Sequence, residues 1–110
     1  MELEKVWFQI SEKYCSDNKL IELVYEEILR NYSEKERHYH GISHLKALFS
    51  LLEEYKEKIS DFDLVAFSIF YHDVIYKAWK KDNEEQSAIF AEKELTKLNI
   101  PTEKINKIKD

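Results

Sequence analysis

The stretch Asp61–Trp79 reads DFDLVAFSIFYHDVIYKAW. It holds no Gly or Pro and is apolar on nearly every side, which predicts a helix over 61–79 packed among other helices. Ser60-Asp61-Phe62-Asp63 gives it a cap-like start. His72 and Asp73 stand side by side in its middle. Burying a carboxylate without a partner costs on the order of several kcal/mol. Neighbours on a helix point about 100° apart, so the two side chains do not simply pair with each other. Ser68, one turn back, can bond His72, but that leaves Asp73. A divalent cation between helices would serve both, because it takes imidazole and carboxylate as ligands and removes the penalty of buried charge.

Outward from this stretch the chain reads as helix throughout. Leu3, Val6, Trp7, Ile10 and Tyr14 form one face of a helix over 2–14. Ser16-Asp17-Asn18 breaks it and caps a second helix over 19–31, with Leu20, Ile21, Val24 and Ile28 inward. Ser33-Glu34-Lys35-Glu36 fits a capping box that opens a short turn carrying Arg37, His38, Tyr39 and His40. His38 is expected to face solvent. A third helix over 42–58 carries a stripe through Ile42, Leu45, Leu48, Phe49, Leu52, Tyr55 and Ile59. Asp82-Asn83-Glu84-Glu85 starts another, with Ala88, Ala91, Leu95 and Leu98 inward. Pro101 suits the first turn of a last one beginning at Thr102.

With one Gly and one Pro in 110 residues, tight β-turns are scarce and an all-α domain is expected. A length of 110 residues suits one domain, with no repeat or linker. The net charge of −5 argues against nonspecific nucleic-acid binding, which leans on a basic surface. Cys15 is the only cysteine; it excludes an internal disulfide and reads as a small, half-buried side chain. No apolar run approaches a membrane span, and MELEKVWFQISEK is too charged for a signal peptide. A soluble cytoplasmic protein with no membrane partner is the expectation.

His40 and His44, spaced i, i+4, point the same way if the third helix begins early enough, and either can complete a cation site with His72 and Asp73. Each polar group also has an ordinary reading. His44 falls within the apolar arc shared with Leu48, Leu51 and Tyr55, and an inward histidine is more often a hydrogen-bonded core residue. The acidic run at Asp82–Glu85 favours a helix N-terminus through the helix dipole alone. Phe67, Phe70, Tyr71 and Tyr76 are core residues first.

Taken in order, RHYHGISHL, FYHDVIYK and DNEEQSA resemble the HD-domain superfamily of metal-dependent phosphohydrolases, and within it a bacterial group of predicted HD phosphohydrolases. The resemblance runs from about Trp7 to Leu98. It implies an HD-like bundle of about five to six helices whose buried central helix carries His72-Asp73. It further implies His40, His72 and Asp73 as metal ligands, with Asp73, His44, Arg37 and Glu84 in catalytic roles. Asn83, Ser87 and Tyr76 would surround the substrate. The cofactor would be a divalent metal (Mn, Fe, Mg or Zn), and the substrate a phosphorylated small molecule such as a nucleotide. Metal-bound hydroxide would attack phosphorus. Lys77 departs from the pattern, standing where the group has Asp. The group's last aspartate ligand comes from a later helix, so the domain 1–110 is expected to be incomplete at its C-terminus. A catalytically inactive metal- or phosphate-binding module on the same scaffold is the alternative. An apolar patch beside an unfinished last helix would favour a homo-oligomer.

Overall fold

Helix formation here follows apolar periodicity, and the caps set the boundaries. The computed structural model describes residues 2–34, 41–77 and 80–109. Among these, six α-helices follow in order: α1 Leu3–Ser11, α2 Asn18–Tyr32, α3 Ile42–Glu54, α4 Phe62–His72, α5 Asn83–Lys97 and α6 Thr102–Lys109. The described residues contain no strand. Two expected caps form as read: Asp17 accepts the amide of Leu20 at 3.1 Å, and Asp61 that of Leu64 at 3.1 Å. The predicted capping box at Ser33–Glu36 lies partly outside the described residues. Within them, Ser33 ends α2, its hydroxyl donating to the Leu29 carbonyl at 2.7 Å. The radius of gyration is 13.3 Å, against about 13 Å for a compact chain of this length.

The core gathers one apolar face from each helix. Leu3, Val6, Trp7 and Ile10 of α1, and Ile21, Val24 and Ile28 of α2, are buried as their spacing predicts. Ala66, Phe67, Phe70 and Tyr71 put α4 at the centre. Trp7 sits where α1, α2 and α4 meet, its ring edge-on to Phe67 and Phe70 at centroid distances of 5.6 and 5.0 Å. Cys15 is buried rather than half-buried.

Three boundaries differ from expectation. α1 stops at Ser11 rather than Tyr14, because the Tyr14 and Cys15 amides both turn back to the Ser11 carbonyl. α3 stops at Glu54, and Lys56–Lys58 form one 3₁₀ turn. The apolar stripe lapses there: Tyr55 is 48% exposed, with the Lys58 ammonium over its ring. The helix expected over 61–79 ends at His72, for reasons that belong to the site.

Beyond α5 the chain reverses sharply. Asn99 adopts a left-handed φ of 63°. The Ile100 amide bonds the Leu95 carbonyl and the Asn99 amide bonds the Thr96 carbonyl, both at 3.1 Å. This is a Schellman closure with asparagine in the place glycine usually takes. Leu95 and Ile100 are both buried and seal it. Pro101 then leads into α6, which lies back across α4 and α5. Its far side is clasped by polar contacts: Lys104 donates to the Tyr14 hydroxyl at 3.0 Å and to Asp61 at 3.2 Å. Tyr14 in turn donates to Asp63 at 3.3 Å, and Asp63 also holds Lys13 at 3.0 Å. The Leu64 amide, with help from Lys104 and Lys107, holds the Asp61 carboxyl below its usual range.

One carboxylate sits uneasily in this core. Glu94 is 4% exposed; one oxygen lies 3.6 Å from the Lys97 ammonium, and the other has no hydrogen-bond partner among the described residues. Burial pushes its carboxyl up, and Glu27 adds to this while Lys97 opposes it. A carboxyl raised in the folded state favours folding below the ordinary carboxylate range and loses that contribution as pH rises through the raised value. Glu94→Gln is therefore expected to be more stable than wild type near neutrality, by on the order of 1 kcal/mol, because the amide carries no charge to strip of water. In urea titrations the difference should close as pH falls toward the usual carboxylate range, about 4.

Candidate functional site

The site begins where α4 ends. Nothing in the local sequence stops that helix, so the stop is tertiary. The Tyr32 hydroxyl, at the end of α2, donates to the Phe70 carbonyl at 2.9 Å and accepts the Asp73 amide at 3.3 Å. One side chain thus takes the place of the next helical turn.

After that, α5 captures the departing backbone. The Ser87 hydroxyl accepts the Ile75 amide at 3.0 Å and donates to the Ile75 carbonyl at 3.1 Å. Asn83 accepts the Lys77 amide at 3.0 Å and donates to the Lys77 carbonyl at 3.0 Å. The geometry explains the spacing. Four residues of helix rise about 6 Å, and two residues of extended chain cover about 6.6 Å. Asn83 and Ser87 therefore match Lys77 and Ile75 as two rungs match two rungs. Both were expected around the substrate; here their polar atoms are engaged in fixing the segment after Asp73. Lys77 pairs with Glu34 at 2.9 Å and ties the same segment to the end of α2.

The His72-Asp73 pair is correspondingly placed at a helix end, not inside a buried helix. The His72 side chain is 63% exposed and that of Asp73 19%. Because Asp73 has left helical geometry, the two approach each other after all, with His72 Nε2 at 3.9 Å from an Asp73 carboxylate oxygen. With bonds of about 2.1 Å, adjacent donors of a tetrahedral or octahedral cation lie about 3.0–3.4 Å apart, so the pair is spread wider than two neighbouring corners of one ion. Among the described residues, no group of three or more His, Cys, Asp or Glu side chains is placed to hold a metal ion. His40, the third expected ligand, and Arg37 and His38 beside it, lie outside the described residues.

Two hollows flank His72. The smaller, about 280 Å³, lies over α5 and is lined by Tyr71, Glu84, Ser87 and Lys109 among others. The larger, about 430 Å³, runs between α3 and α4, lined by His44, Leu48, Leu64, Val65 and Ile69. They share a wall made of Ser68, His72 and Lys107. His44 is exposed, not in the apolar arc expected of it, yet it faces the same groove as His72. Glu84 is exposed on the rim of the smaller hollow. Tyr76 is half-buried and lines neither hollow. The Tyr71 hydroxyl is pushed well above its usual value by burial, with Glu94, Tyr32 and Glu27 adding to the effect.

Lys107 is the residue that sequence reasoning missed. Nothing in its local sequence marks it out from the other lysines of α6. It reaches the wall between the hollows because the Schellman turn and the Lys104 clasp lay α6 along α4. No family model matches the chain, and neither a curated protein nor a solved structure matches it.

Proposed function

We propose that this chain is a metal-dependent phosphohydrolase domain of the HD type. The supporting observation is convergence. His44, His72, Glu84 and Ser87 come from three separated segments, and all line two hollows that share His72 as a common wall. In this reading His72 and Asp73 hold a divalent cation together with His40. When bound, the cation acidifies a water and neutralises phosphoryl charge. His44 orients the substrate phosphate from α3, and Arg37 stabilises the charge that builds on the phosphoryl oxygens. Glu84 accepts a proton or hydrogen bond at the rim of the smaller hollow. The substrate is a phosphate ester.

Metal content of the purified chain, measured by mass spectrometry beside His72→Ala/Asp73→Ala, tests the reading. Near-stoichiometric metal in the wild type that disappears in the double variant is expected. Its persistence in the variant, or a folded wild type without metal, overturns the cation site. Metal bound without phosphoesterase turnover leaves the binding module instead.

A further inference from the structure

We infer that the larger groove takes the aliphatic body of an alkyl phosphate, with the phosphate held at Lys107. This rests on the phosphohydrolase reading and names its substrate class. Leu48, Leu64, Val65 and Ile69 make most of the groove wall, and among the described residues no Phe, Tyr or Trp lines it. A nucleobase is bound by stacking on rings and by hydrogen bonds to its edges. Apart from the His44 and His72 imidazoles at its polar end, the groove walls are poor in both. They are the flanks of two helices, whose backbone groups are spent internally, and the Ser68 hydroxyl donates to the Leu64 carbonyl at 2.7 Å. An aliphatic chain asks only for apolar surface.

The polar end is equally specific. At the wall shared by the two hollows, Lys107 makes no close ion pair among the described residues, its charge acting on Asp61 only from a distance, whereas Lys109 beside it is paired with Glu92 at 3.1 Å. A phosphate at this junction meets Lys107 and His72, with His44 lining the same groove, and its aliphatic chain lies toward Leu48 and Ile69. Glu84, across the smaller hollow, disfavours a second anionic group there, which selects a monoester over a polyphosphate.

Calorimetric titration of the folded chain with phosphate, butyl, hexyl and octyl phosphate, in metal-free buffer with adenosine monophosphate as comparison, tests this. Affinity is expected to rise up to about fourfold per added methylene until the groove is filled. Leu48 lies outside the apolar cluster of the core, so Leu48→Gln should fold normally and flatten that rise. Lys107→Ala should weaken every ligand about fivefold, inorganic phosphate included. Tighter binding of adenosine monophosphate than of octyl phosphate, or affinity indifferent to chain length, overturns the inference. So does a dimer of the chain that alkyl phosphates fail to dissociate. Octyl phosphate bound with this chain-length dependence, but not hydrolysed when metal is supplied, overturns the hydrolase reading and leaves the groove standing.

Discussion

Trp7→Ala is expected to cost about 3–5 kcal/mol, the range for removing a large buried aromatic side chain. Folded domains typically hold about 5–15 kcal/mol in all, so much of the stability hangs on this side chain. Trp7 is fully buried. It stacks on Tyr25 of α2 at 6.4 Å and meets Phe67, Phe70 and Tyr71 of α4 edge-on. Its indole N–H donates to the Ile21 carbonyl at 2.9 Å. Alanine leaves a cavity bounded by three helices, and none of them can move in alone to fill it. Urea unfolding with an unchanged slope and a much lower midpoint is the expected result. Trp7→Phe separates the two contributions. It keeps most of the packing but removes the indole bond to the Ile21 carbonyl, which retains its partner within α2, so a smaller loss of about 1 kcal/mol is expected. Equal costs for both variants would mean the hydrogen bond, not the packing, holds the three helices together.

Much of this was legible because it is local. The caps at Asp17 and Asp61, the stripe of α1 and the start of α6 each depend on residues a turn or two apart. The end of α4 depends on residues far away in sequence: Tyr32 stands 38 positions before the carbonyl it caps. No window over 61–79 contains that information, and propensity alone carries the helix on past His72. The burial of His72-Asp73 was misjudged for the same reason, since a residue inside a buried helix and one at its end read alike. Among the site residues, His44, His72, Glu84 and Ser87 were legible as types at suggestive spacing. Lys107 was not, because α6 is placed by contacts from Tyr14 and Asp61.

Asn83→Ala combined with Ser87→Ala is expected to release the segment after Asp73, at a cost of about 2–4 kcal/mol. Ser87 is 3% exposed, so its loss strands the amide and carbonyl of Ile75, where water reaches poorly. Each unpaired buried group costs about 1–3 kcal/mol. Asn83 supplies two bonds to Lys77 and a third, at 3.3 Å, to the Lys80 carbonyl. The two stitches hold one segment, so they should not add: once either is cut the segment loosens, and the double variant should cost less than the two singles together. Hydrogen exchange locates the effect. The Ile75 and Lys77 amides should lose protection while those within α4 keep theirs, because Tyr32 still caps that helix. Uniform loss of protection through α4 would show instead that the stitches support the whole core. If protection is lost only past Asp73 and metal uptake falls with it, the serine and asparagine act on the site through the backbone that carries the aspartate, and contact with substrate is not needed to explain their place in the motif.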